Sequence, residues 1–230
     1  MFPNLRCLSV NSSRTKHPFW KVIQDRFPNL VSLFVRLDAY GAPGRYILKN
    51  IEILGIYTLA GFQLECPSLK HFHVSVAKST AVHDFIMEHG HQLRSFVGVT
   101  PASIKAKKDA WHSTFPNLIT YGCRIRTGLR SDPPPDHPLR HLRFFANHNS
   151  LTPEQVMSEI DAYPFPGLET VHIVMNDLRH GTVNELRARC QKRGIRLEAV
   201  VDGTPVVVQP PRLKMDYIKS AFRMCTLPCW

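Results

Sequence analysis

Twelve histidines and six cysteines are the residues of this 230-residue chain best placed to do chemistry. Imidazole and thiolate are metal ligands, bases and nucleophiles near neutral pH. His71 and His73 stand two apart, so one strand face presents both and could share a metal ion. No Cys, Asp or Glu is placed by sequence to complete a tetrahedral site around them. His83, His89 and His91 surround a helix end, where imidazole caps carbonyls or meets solvent. Cys225 and Cys229 are separated by three residues, not the two of a redox motif, and no second pair stands nearby. The other cysteines, at 7, 66, 123 and 190, fall in expected strands, helices or turns and are expected to be reduced and mostly buried. No glycine-rich phosphate loop, serine elbow, His-Glu-x-x-His motif or paired-cysteine zinc pattern occurs. The expectation is therefore no catalytic residue, no metal and no cofactor. A small hydrolase hidden in the scaffold is an alternative reading, and it needs an apolar pocket holding a His–Ser or His–Cys pair.

The elements that position these residues come from a chain that is 43% hydrophobic and 20% charged, enough apolar material for a real core. No run of 18 apolar residues occurs, which argues against a membrane partner, and Met1 to Arg6 does not read as a signal peptide. A cytoplasmic or nuclear location is expected. The net charge is +11, with 14 Lys/Arg against 7 Asp/Glu in residues 1–115 and 15 against 11 in residues 116–230. So even a spread favours acidic partners, or loose contact with nucleic acid, without fixing either.

A repeat decides the fold. Phe2-Pro3-Asn4-Leu5 returns as Phe27-Pro28-Asn29-Leu30, Cys66-Pro67-Ser68-Leu69 and Phe115-Pro116-Asn117-Leu118, then as His137-Pro138-Leu139 and Phe165-Pro166-Gly167-Leu168. Further apolar residues follow each leucine at the third and fifth positions, as in Leu30/Leu33/Val35 and Leu168/Val171/Ile173. Leu93/Phe96 fits with Gly98 in the last place, and Ile51/Leu54/Ile56 competes with Leu48/Ile51/Ile53. Anchors at 5, 30, 51, 69, 93, 118, 139, 168 and 197 are spaced by 24 residues on average. That is the range of strand-plus-helix repeats. Alternation along a short strand turns the third and fifth positions to one side. Proline ends whatever precedes each strand, and units too small to bury their own apolar face must stack into one parallel sheet.

Helices are expected to return the chain. Thr80 to Glu88 puts Val82, Phe85 and Ile86 on one face before Gly90. Thr152 and Pro153 open a second helix backed by Val156, Met157 and Ile160. Thr182 to Lys192 is a third, with Val183, Leu186 and Cys190 as its stripe and Gly194 beyond. Phe19 to Gln24 is a shorter candidate. Lys105 to Lys108 reads as a solvated basic insertion, and Ser131 to Asp136 as a proline-stiffened spacer. The whole is expected to be an α/β, leucine-rich-repeat-like solenoid over residues 1–204. It would have eight or nine irregular units, short parallel strands on the concave face, and helices and irregular segments on the convex face. Residues 205–230 would form a proline-containing linker and a weakly structured tail.

The Leu-x-x-Leu-x-Leu spacing resembles leucine-rich repeats, whose ninth position often holds asparagine, and Asp38, Asn147 and Asn176 suit it while Ser13, Ala77 and Arg126 do not. The Phe-Pro-Asn-Leu and Cys-Pro-Ser-Leu lines are similar to the degenerate repeats of fungal F-box-type proteins. That resemblance implies repeats that bind a substrate for a ubiquitin ligase, while an N-terminal F-box binds the ligase adaptor. The chain opens directly on a repeat, with no segment that reads as an F-box, so an adaptor contact would require one that is missing here.

Positions two, four and six after each anchor are expected to line the concave face. They include Phe34, Arg36, His71, His73, Arg124, His141, Arg143, Phe145 and His172. No acidic residue falls among the seven units so assigned. Cations beside aromatic rings suit charge-assisted bonds and aromatic anchors. The expectation is a protein partner with an acidic surface, with nucleic acid as the alternative.

Overall fold

The computed structural model describes residues 4–11, 19–36, 44–57, 59, 62–75, 80–98, 110–124, 134–145, 153–161, 165–175, 180–201 and 204–205. Within them the repeats become strands. β1 (Cys7–Asn11), β2 (Ser32–Arg36), β4 (Ile53–Ile56), β6 (His71–Val74), β7 (Ser95–Gly98) and β8 (Thr120–Arg124) lie side by side in that order. β9 (His141–Phe145), β10 (Thr170–Met175), β11 (Arg196–Val201) and β12 (Thr204–Pro205) continue the same ten-stranded sheet. Every pairing is parallel except the last, where β12 folds back on β11. Pro205, expected to begin a linker, therefore pairs with Val200 in the sheet.

Register is uniform. Leu8, Leu33, Leu54, Phe72, Phe96, Tyr121, Leu142, Val171 and Leu197 form one cross-strand row. Val35, Ile56, Val74, Cys123, Phe144 and Ile173 belong to the next row on the same side. From β2 to β10 these side chains are almost fully buried, each contributing on the order of 1.5–3 kcal/mol of transfer free energy. Phe72, Phe96 and Tyr121 stack in sequence, with ring centroids 5.9 and 6.1 Å apart. The register settles Ile51/Leu54/Ile56 as the third unit, since Leu54 stands between Leu33 and Phe72.

Helices cover that side. α1 (Phe19–Arg26) inserts Trp20 and Ile23, and α2 (Thr80–His89) inserts Val82, Phe85 and Ile86. A 3-10 turn, Gly90–Gln92, follows α2. α3 (Ala110–Thr114) brings Trp111 against Phe115, Tyr121 and Phe165. α4 (Pro153–Asp161) and α5 (His180–Lys192) bury the stripes expected of them, Val156/Met157/Ile160 and Val183/Leu186/Cys190. These residues and the two inward strand rows form one apolar cluster.

Three features depart from expectation. β3 (Arg45–Ile47) and β5 (Gln63–Glu65) make a second, two-stranded parallel sheet between the main strands. α3 is an additional helix. Leu197 is not an anchor: it pairs with Val171, so the anchor position of the last unit falls on Gly194, whose positive φ of 71° suits glycine. The Lys105 to Lys108 run, Cys225, Cys229, the tail and the ninth-position residues lie outside the described residues. No helix among the described residues is long and apolar enough to cross a membrane.

Candidate functional site

Because side chains alternate along a strand, the positions between the buried ones point to the sheet face away from the helices. One row reads Cys7, Ser32, Ile53, His71, Ser95, Thr120, His141, Thr170 and Arg196. The next reads Ser9, Phe34, Gly55, His73, Val97, Gly122, Arg143, His172 and Glu198. A third holds Arg36, Arg124, Phe145 and Val174. All nine residues expected on this face thus occupy its rows. For Arg36 and Arg124 the backbone alone is described.

Two glycines shape the face. A Cβ on Gly55 would lie 2.3 Å from Cδ1 of Phe34, so that ring lies across the neighbouring strand's backbone. A Cβ on Gly122 would meet the methyls of Val97 at 3.0 and 3.1 Å and Cε2 of Phe145 at 3.2 Å. Phe145 leans onto Gly122, and the Arg143 guanidinium carbon lies 5.4 Å from the Phe145 ring centroid. Burial pushes Arg143 down to about 10, partly offset by Glu198, and it remains cationic at neutral pH. Burial, with the charge of Arg143, pushes His73 down to about 4. His71 and His141 are also lowered, chiefly by burial. All three imidazoles are neutral at pH 7 and offer hydrogen bonds rather than charge.

Glu198 corrects the expectation of an acid-free face. Its unit had no assigned register in sequence, and once Leu197 joins the inward row, Arg196 and Glu198 must face outward. They pair at 3.1 Å. The signal was available by counting back from Leu197. Among the described residues no group of three or more His, Cys, Asp and Glu could hold a metal ion. Burial raises the thiol pKa of both Cys66 and Cys190, so neither is a thiolate nucleophile at neutral pH.

A second polar feature runs along the turns that lead into the strands. Asn50 Nδ2 donates to Pro28 O at 2.8 Å, Ser68 Oγ to Lys49 O at 2.7 Å, and Asn117 Nδ2 to His91 O at 2.7 Å. Gln92 Nε2 donates to Cys66 O at 2.9 Å. Each unit thus satisfies a turn carbonyl of the unit before it. An open cleft of about 570 Å³ beside the first turns is lined by Asn4, Arg6, Asn29, Asn50, Glu52 and Ser68, among others. The asparagine of Phe-Pro-Asn-Leu was the sequence signal for this ladder. Comparison with protein-family models, curated proteins and solved structures finds no match to this chain.

Proposed function

We propose that the chain is a leucine-rich-repeat-like solenoid serving as a non-catalytic protein-recognition scaffold, with the open sheet face as its concave binding surface. The observation carrying this reading is the uninterrupted register of nine parallel strands, which sets His73, Arg143, Phe145 and His172 in continuous rows across one face. Such a face offers aromatic and guanidinium anchors to a partner, and the +11 net charge favours an acidic one. The resemblance to F-box-type repeats further suggests the substrate-binding arm of a ubiquitin-ligase receptor.

The test is affinity purification of the full-length gene product from its own cells, with the wild type compared with a variant carrying Arg36→Glu, Arg124→Glu and Arg143→Glu. Loss of the same partners from a variant that still folds is expected. An unchanged partner set would remove the binding surface from this face. Recovery of a ubiquitin-ligase adaptor and cullin would support the receptor reading, and a partner set without them would leave a free-standing scaffold.

A further inference from the structure

On the recognition reading above, we infer that Arg143, laid against Phe145 over Gly122, is a preformed anchor for a carboxylate side chain of an acidic peptide segment. Three features of the sheet build it. Gly122 leaves room for the Phe145 ring to settle on the strand, since any Cβ there would crowd that ring at 3.2 Å. The ring gives the guanidinium a platform, with Cζ 5.4 Å from its centroid. A guanidinium held on an aromatic face keeps its edge donors available and has lost rotamer freedom before any ligand arrives.

The surroundings set the sign and class of the ligand. Val97, 7% exposed, adjoins Gly122 and keeps the neighbouring floor apolar. A cation short of water beside an apolar floor gains more from an arriving oxyanion than an exposed one does. Among the described side chains of the two central rows the ionic groups are Arg143, Arg196 and Glu198, and the last two pair with each other at 3.1 Å. The centre of the face is therefore net positive at Arg143. The neutral imidazoles of His73 and His172 flank it as hydrogen-bonding groups. One anchored guanidinium among hydroxyls and imidazoles suits a peptide carboxylate better than a nucleic-acid strand, which takes roughly six to ten cations in register with its phosphates.

The probe is a fluorescein-labelled peptide alternating Gly and Glu, compared with its Gly/Gln counterpart and with a single-stranded oligonucleotide, all at about 150 mM salt. The wild type is expected to bind the Glu peptide and not the Gln peptide, with Arg143→Met weakening binding about tenfold or more. Arg187→Gln, an exposed arginine on α5 that bonds Asn184, is expected to leave binding unchanged. Equal weakening by both substitutions would mean diffuse charge attraction and overturn the anchor. So would absence of binding to the Glu peptide, or tighter binding of the oligonucleotide that depends on Arg143. A readout on the wild type guards against a variant that misfolds: the Arg143 Nε–H resonance should shift with the Glu peptide and not with the Gln peptide, and a static resonance would also overturn the anchor. If the Glu peptide fails while captured partners still depend on this face, the carboxylate assignment falls and the recognition reading stands. Loss of both dependences would remove the two together.

Discussion

Gly55 and Phe34 stand on adjacent strands, and the ring occupies the volume that a side chain at 55 would need. Glycine inside a strand usually weakens it, through backbone entropy and lost packing, unless another group approaches closely. Here the approach is 2.3 Å from Phe34 Cδ1 to the position of a Cβ. Gly55→Val is therefore expected to displace the ring and lower stability by roughly 1–3 kcal/mol, the usual cost of overpacking. In the Phe34→Ala background the same substitution should cost much less, because the obstructing ring is gone. Urea unfolding of the two single variants and the double variant gives the coupling directly. Additive effects would mean that the ring does not rest on Gly55.

The turns bind one repeat to the next through bonds that the strands do not make. Asn117 is exposed, yet its amide reaches the carbonyl of His91, 26 residues earlier, at 2.7 Å. Asn117→Ala should cost about 1 kcal/mol, the net value of one such bond. Asn117→Asp should cost more, since a carboxylate oxygen would face that carbonyl in place of a donor. Equal stability of the two variants in urea titrations would show that the amide bond contributes nothing. Much at this scale was legible in the sequence. Proline-leucine turns with apolar residues three and five positions on gave the strands, and three capped or striped helices fell where expected. What escaped has physical reasons. β3 and β5 are three residues each, too short to show alternation. α3 spans five residues, less than two helical turns, and its identity rests on Trp111 docking among Phe115, Tyr121 and Phe165. In the last unit Gly194 replaces the anchoring leucine, so Leu197 was mistaken for it and Glu198 was not placed on the face.

Across the molecule, five imidazoles sit where burial opposes their charge: His71, His73, His89, His137 and His141. His137 shows how such a neutral form is built in. Its Nδ1 accepts from the Leu139 amide at 3.2 Å, which leaves Nε2–H to donate to Phe115 O at 3.1 Å. Protonation would remove the acceptor. His89 likewise meets the Gln92 amide through Nδ1, at 3.1 Å. With folded pKa values below 6.5, these groups take up protons in the unfolded chain before they do so in the native one. Their stabilising contribution is therefore complete above about pH 6.5 and is lost as pH falls toward their folded values. His73, lowered from 6.5 to about 4, is the clearest case. By linkage it alone should cost roughly 2 kcal/mol between pH 7 and pH 5, or about 4–8 °C in Tm for a chain of this size. The four other histidines shift stability in the same direction. Thermal melts across this range should fall steeply for the wild type, and His73→Gln should remove a measurable part of that slope. The replacement has no proton to take up, whatever it does to stability at pH 7. A wild-type melting temperature that stays flat from pH 7 to pH 5 would mean that these rings are not held neutral by the fold. An unaltered slope in the variant would place the pH dependence on the other four rings and remove His73 from it.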